Sequence, residues 1–209
     1  MRVVISAGPT REAIDPVRFI SNRSTGRMGY ALAAAAVARG METVLVSGPV
    51  ALPPPDGLFR LVRVETAAEM AEAMKREAGE AALIIMCAAV ADYRPKVAAA
   101  QKMKKKSVRS MRRLKPSAKR NLTPNRKRAD QLLVGFAAET DSLEQYALEK
   151  MRRKNLDWIA ANRVGIPGQG FESETNAVVL YARSGEKRVL PLDSKDRIAE
   201  QILDIVVRR

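Results

Sequence analysis

Short apolar runs alternate along this chain with longer amphipathic stretches. Arg2–Ala7 is β-branched and stops at Gly8-Pro9, which predicts a buried strand. Thr43–Ser47, stopped by Gly48-Pro49, repeats the pattern. Leu58–Val64, Ala82–Cys87, Leu132–Ala137 and Trp158–Ala161 extend the series. Between them, Met28–Arg39 is Ala-rich and ends at Gly40, which suits a helix C-cap. Thr66 followed by Glu69 has capping-box spacing, and Ala67, Met70, Ala71 and Met74 keep helical period. Ser142 and Gln145 form a second such pair, at the head of a helix through Lys154. Ala177–Tyr181 and Arg188–Leu192 flank Ser184-Gly185 and predict a hairpin. A last helix follows, with Ile198, Ile202, Ile205 and Val206 on one face.

This order predicts an α/β fold in three layers, with a mostly parallel sheet and helices on both faces. The C-terminal hairpin and helix extend or cap that sheet. Right-handed crossovers place ligands at the carboxyl ends of the strands. There are no internal repeats, and residues 1–209 read as one domain. Tyr93–Gln131 shows no periodicity and is far longer than the roughly 12–15 residues a structureless loop tolerates in a compact domain. Residues 101–131 are therefore expected to be a long basic flap or a disordered loop.

Composition refines this picture. Hydrophobic residues make up 46% but aromatics only 4%, so the core rests on Ala, Val, Ile, Leu and Met. No run approaches the roughly 18 apolar residues of a membrane span, and the N-terminus lacks a signal-peptide pattern. The one cysteine, Cys87, excludes an internal disulfide framework. The expected location is cytoplasmic. The net charge of +14 is local: Lys102–Arg128 holds 13 Lys or Arg and no acid, leaving 24 basic against 23 acidic residues elsewhere. A nucleic-acid footprint normally spreads across a face. A solvated loop is one reading of the run, and a nucleic-acid-associated segment is a less favoured one.

The chain contains no histidine. A Ser/His/Asp triad, a Cys/His nucleophile and a His-based metal site are excluded, which leaves chemistry done by positioning and charge. Ser24, Gly26 and Gly29 precede a helix and offer backbone N–H groups to an anion, although a plain capping loop would read the same. The three-glycine dinucleotide fingerprint is absent after the first strand. Arg11, Arg18, Arg23 and Arg27 suit phosphate or carboxylate, and Asn22 among them has the chemistry to polarise a carbonyl or hold an oxyanion. The small residues of Cys87–Ala91 leave room for a flat ligand. Asp92 then suits a ribose hydroxyl, a base amine, a metal or a turn cap. Lys102-Met103-Lys104-Lys105 opens the basic stretch with cations matched to a triphosphate. Lys150 and Lys154 share a helix face and either flank an anion or are simply solvated.

Ile5–Glu12, Asp15–Asn22 and Ser24–Gly29 together resemble the opening signature of the phosphopantothenoylcysteine synthetases. In bacteria that domain is usually fused behind a flavin-dependent decarboxylase. Val46–Pro49, Ala88–Tyr93, Lys102–Lys105, Gly135–Thr140 and Ala160–Asn162 support the resemblance, which covers 1–100 and 131–209. It implies a modified Rossmann-like fold, a homodimer and a two-step ligation in coenzyme A biosynthesis. 4'-Phosphopantothenate and CTP, with Mg2+, form an acyl cytidylate and pyrophosphate, and L-cysteine then displaces CMP. Carried over by motif, Asn22 contacts the activated acyl group and Arg18 serves the second half-reaction, across the dimer. Met86, Cys87, Ala88, Asp92 and Phe136 line the cytidine site. Lys102 acts on the triphosphate, Lys150 and Lys154 hold nucleotide phosphates, and Ser24, Gly26 and Gly29 face a substrate phosphate or acyl group. No metal is assigned to protein side chains, no flavin is expected in this chain, and a decarboxylase is the implied partner or fused domain.

The departure lies between the lysine motif and Gly135, where the family has a short strand and an Asn-Pro-Asp-Ile-like turn. Here Ser107–Arg128 is basic and acid-free, and only Lys115-Pro116 and Thr123-Pro124-Asn125 approach that pattern. A frame-shifted stretch or a basic insertion would each produce it. A nucleotide-binding homologue with impaired turnover is accordingly the alternative reading.

Overall fold

A computed structural model describes residues 1–104, 114–118, 127–166 and 170–207. The strands are β1 (Arg2–Ala7), β2 (Arg11–Ala13), β3 (Phe19–Ser21), β4 (Glu42–Ser47), β5 (Arg60–Arg63), β6 (Leu83–Met86), β7 (Tyr93–Pro95), β8 (Leu114–Pro116), β9 (Leu132–Glu139), β10 (Trp158–Arg163), β11 (Thr175–Ala182) and β12 (Lys187–Ser194). The helices are α1 (Arg27–Ala38), α2 (Ala67–Ala78), α3 (Leu143–Arg153) and α4 (Lys195–Val207). Eight strands form one sheet in the order β12-β11-β10-β9-β6-β1-β4-β5. Pairing is parallel from β5 through β10, and the β11–β12 hairpin continues the sheet antiparallel. The fold is the expected mostly parallel α/β architecture, and the hairpin extends the sheet.

Side chains of successive strand residues point to opposite faces, so each buried strand feeds two cores. Val3, Ile5, Leu45, Ile85 and Val134 pack beneath α1 and α4. Val4, Val44, Val46, Ile84 and Ile159 pack beneath α2 and α3. Strands covered on both faces read as continuous apolar runs, which is why β1, β4 and β6 are plain in the sequence.

Most helix ends follow local chemistry. Thr66 Oγ1 accepts from the Glu69 N–H at 3.2 Å, and the Glu69 carboxylate accepts from the Thr66 N–H in return, forming the expected capping box. The buried Glu12 carboxylate adds a long-range cap, accepting from the Ala67 N–H at 2.7 Å. Gly40 closes α1 with φ of 67°, and its N–H donates to Val37 O at 2.8 Å. The second capping box does not form. Ser142 lies at φ 43° in the left-handed region, not in the extended backbone an N-cap residue adopts, and makes no side-chain cap.

Two hairpins were not foreseen. Between Gly8 and Ser21 the chain forms β2–β3, turned by Asp15, whose Oδ1 accepts from the Val17 and Arg18 N–H groups at 2.9 Å each. Within Tyr93–Gln131, β7 pairs antiparallel with β8, so this stretch is not structureless throughout. Lys115-Pro116 lies in β8, whereas Thr123-Pro124-Asn125 and Lys105 fall outside the described residues. Part of the basic run is committed to the fold: Lys127 pairs with Asp157, and Arg128 with Asp130 at 3.0 Å. No helix among the described residues is long and apolar enough to cross a membrane.

Candidate functional site

From β1 the chain winds outward through β4 and β5, then returns to β6 on the other side of β1. The crevice at the carboxyl ends of β1 and β6 is therefore the topological switch point, where open α/β sheets bind ligands. Its loops are tied to each other. The Ala89 N–H donates to Gly8 O at 2.9 Å, and Thr10 Oγ1 accepts from the Ala91 N–H at 3.0 Å. Ser6 Oγ accepts from the Ala88 N–H at 3.2 Å. Ser21 Oγ donates to Thr10 O at 2.8 Å, and Asn22 Nδ2 to Ala89 O at 3.0 Å. Asn22 is thus held at the rim of the crevice by the loop that follows β6.

The N-terminus of α1 borders the same space. Gly26 takes φ of 82°, a conformation that favours glycine, and its N–H donates to Ser24 Oγ at 3.3 Å. The helix has no side-chain cap and no acid in its first turn, so its amide dipoles are not neutralised locally. A Cβ on Gly29 would lie 2.5 Å from Ala7 Cβ, so this glycine lets α1 approach β1 closely.

Two adjoining lobes open here. An inner cavity of about 310 Å³ is bordered by Asn22, Ser24, Gly26, Gly29, Cys87, Ala88, Phe136 and Lys195, among others. An outer one of about 810 Å³ is bordered by Tyr93, Ser117, Tyr146, Arg153 and Lys154. Asp92, Glu139 and Lys150 border both. Lys150 Nζ donates to Phe136 O at 2.6 Å, which places its charge where the lobes meet. Burial pushes the Cys87 thiol up to about 12, with Lys195 opposing that rise, so the thiol is protonated at neutral pH.

Of the residues singled out from sequence, Asn22, Ser24, Gly26, Gly29, Cys87, Ala88, Asp92, Phe136 and Lys150 border the inner cavity, and Lys154 borders only the outer one. Met86 borders neither and packs against the core beneath α2 and α3. Arg18 and Lys102 also lie outside both linings. Arg18 instead forms a two-point ion pair with Asp15 and donates to Met103 O at 3.0 Å. Asp15 Oδ2 accepts from the Met103 N–H at 3.1 Å. The pair thereby grips both backbone groups of the residue next to Lys102. The Arg18 guanidinium holds the Asp15 carboxyl far below the usual carboxylate range. Asp15 is shielded at its own position, although it belongs to a small hairpin and not to the core.

Glu139, Asn162, Phe171, Asn176 and Lys195 also border the inner cavity and were not foreseen. One signal was present. Lys195 stands three residues before Ile198 and seven before Ile202, on the apolar stripe of α4, where a cation calls for a reason.

Fold and site define a three-layer α/β protein with its ligand crevice at the sheet's switch point. The whole chain, residues 1–209, matches the model of the DNA/pantothenate metabolism flavoprotein C-terminal domain, and the chain belongs to that family. It is 48% identical over 201 residues to the coenzyme A biosynthesis bifunctional protein of Bacillus subtilis, covering 96% of this chain and 50% of that one. The counterpart from Vibrio cholerae is 48% identical over 214 residues, covering 98% and 52%. The chain thus spans about half the length of these curated relatives. A crystal structure of the C-terminal domain of a coenzyme A biosynthesis bifunctional protein aligns with TM-score 0.80 and 41% identity, covering 98% of this chain and 93% of that one. The resemblance to the phosphopantothenoylcysteine synthetases read from the motifs stands on the full length of the chain.

Proposed function

We propose that this chain ligates 4'-phosphopantothenate to L-cysteine with CTP as the activating nucleotide. The observation that carries the reading is one histidine-free crevice that gathers Asn22, the uncapped start of α1, Phe136 and Lys150. The relatives' role in coenzyme A biosynthesis supports it.

In the first step a carboxylate oxygen of 4'-phosphopantothenate attacks the α-phosphorus of CTP. The bond to the pyrophosphate oxygen breaks, giving acyl cytidylate and pyrophosphate. In the second, the cysteine amine attacks the acyl carbon, CMP departs with the bonding electrons, and the amine releases its proton to solvent. An ionised carboxylate needs no base, so the protein's work is alignment and charge stabilisation. The amides of α1 and the Lys150 ammonium face the phosphates, and Phe136 with the small residues Cys87 and Ala88 flanks the base. Asn22 orients the acyl group. Lys102 approaches the polyphosphate from its loop, carried by the grip of Asp15 and Arg18 on Met103.

Mg2+ would shield the phosphate charge. Among the described residues no cluster of three or more potential ligands exists. The donor set still fits, because Mg2+ usually takes one or two carboxylates plus substrate phosphates, and Asp92 and Glu139 are the carboxylates that border both lobes. The active assembly is a homodimer in which Arg18 also serves the partner's site, and a phosphopantothenoylcysteine decarboxylase is its functional neighbour.

The test is incubation with 4'-phosphopantothenate, cysteine, Mg2+ and CTP, following pyrophosphate and phosphopantothenoylcysteine, beside Asn22→Asp and Lys102→Gln. Both products, with pyrophosphate lost in Lys102→Gln, are expected. CTP binding without pyrophosphate release would replace this reading with an impaired homologue.

A further inference from the structure

The C-terminal hairpin and α4 extend the sheet, yet they also bring two buried polar side chains to the inner cavity. Lys195, the first residue of α4, is 5% exposed and borders it. Its Nζ donates to Gly170 O at 2.9 Å and to Phe171 O at 3.4 Å. Among the described residues no carboxylate lies in ion-pair contact with it. Asn176 on β11 is 4% exposed, borders the same cavity, and its Oδ1 has no hydrogen-bond partner. It stands where the β11–β12 register slips, between Asn176 and Val178. Such irregularities re-aim a side chain beside active sites.

Both features are costly on their own. A buried charge is ordinarily paired, and a buried carbonyl ordinarily accepts a hydrogen bond. The nearby charges do not pair with Lys195. Arg27, at the head of α1, has its own sign, and the Glu174 carboxylate is engaged with Arg27 at 3.6 Å and largely exposed. Cys87, across from it at the end of β6, is a protonated thiol at neutral pH. Asp193 and Asp196 flank it in sequence and make no ion pair with it, and Asp92 and Glu139 border the same cavity. An anionic ligand bearing hydrogen-bond donors would satisfy both groups, and a nucleotide is such a ligand.

Resting on the reading that this cavity takes a nucleotide, we propose that Lys195 and Asn176 are nucleotide-binding residues. Lys195 neutralises a phosphate oxygen, and Asn176 accepts from a hydroxyl of the same ligand. The C-terminal hairpin and helix thereby complete the site. Burial holds the Lys195 pKa below its ordinary value, and a bound phosphate opposes that fall by favouring the charged ammonium.

The experiment is calorimetric titration of CTP into wild type, Lys195→Met, Lys195→Arg and Asn176→Leu. It runs at about pH 8.5, well above the phosphate ionisation near 6, so that the ligand carries its full charge. A hydrogen bond to a charged group corresponds to about 10- to 100-fold in affinity. Lys195→Met is expected to weaken binding by that factor. Lys195→Arg keeps most of the affinity, because it preserves the charge. Asn176→Leu is expected to raise thermal stability, since an orphan acceptor is removed, while weakening CTP about 5- to 10-fold. Wild-type affinity in Lys195→Met would overturn the proposal. So would unaltered binding in Asn176→Leu. A folded wild type that binds no CTP would instead overturn the nucleotide reading beneath it.

Discussion

Gly29 offers a sharp test of how α1 is held against the sheet. A methyl group placed there meets Ala7 Cβ at 2.5 Å, Ala7 Cα at 3.0 Å and Ser6 O at 3.4 Å. Carbon atoms in contact prefer roughly 3.5–4.0 Å, and none of the three atoms can rotate away. In Gly29→Ala the helix must retreat from β1 by about 1 Å. Overpacking of this kind costs about 1–3 kcal/mol, and rigid neighbours argue for the upper end. Alanine returns about 1 kcal/mol of helix propensity, so the net loss is near 2 kcal/mol. At this chain length that is a fall of about 4–8 °C in Tm. Because α1 begins at the ligand crevice, a shift of about 1 Å in its first turn costs up to about 100-fold in turnover. Urea unfolding of Gly29→Ala, Ala7→Gly and the double variant checks the cause. Ala7→Gly removes the closest clashing atom, so the double variant should recover at least 1 kcal/mol beyond additivity. Strict additivity, or Gly29→Ala as stable as wild type, would refute the packing argument.

Asp15→Asn should release Met103, making the 102–104 loop more sensitive to protease and lowering kcat more than it raises KM for CTP. The folded pKa of Asp15 is depressed, so its stabilising contribution is present above the unfolded value near 4 and is lost as pH falls below it; acid unfolding curves of the variant should lack that part of the wild-type decline. Cys87, with its thiol raised to about 12, should react with iodoacetamide at pH 8 at least about 100-fold more slowly in the native protein than in urea, and equal rates would contradict the desolvation that raises it. Ser142→Gly should stabilise by about 1 kcal/mol, because Ser142 holds φ of 43° and makes no cap bond, whereas a loss of about 1 kcal/mol in thermal unfolding would restore the capping role its spacing suggested.

The sheet was legible because its strands are buried on both faces and read as unbroken apolar runs. Thr66–Glu69 was legible because its two hydrogen bonds depend on residues three apart. Ser142–Gln145 has equivalent spacing and fails, since the preceding chain enters α3 through a left-handed residue that spacing does not reveal. The three-residue strands β2, β3, β7 and β8 are too short to show a period. They are fixed by long-range partners, such as Ala99 N–H donating to Ile14 O at 2.9 Å and Ser117 N–H to Asp92 O at 2.9 Å. The loops after β1 and β6 were recognisable as ligand-facing because switch-point topology makes them so. Asn176 and Lys195 were not, as they come from the antiparallel extension, where no topological rule anticipates a ligand.

Arg18 and Lys102 were expected to act separately, one in the second half-reaction and one on the triphosphate. The geometry joins them. Arg18 and Asp15 hold the carbonyl and the amide of Met103, so loss of the Arg18 guanidinium also loosens the backbone that carries Lys102. Loss of the second step in an Arg18 variant would then mix two effects: a missing guanidinium and a displaced lysine. Asp15→Asn separates them, because it loosens the grip while leaving the Arg18 guanidinium in place. If pyrophosphate release falls with Asp15→Asn as it does with Lys102→Gln, the hairpin acts by carrying the lysine loop. If only the cysteine step falls, Arg18 works directly on that step and needs Asp15 to orient it.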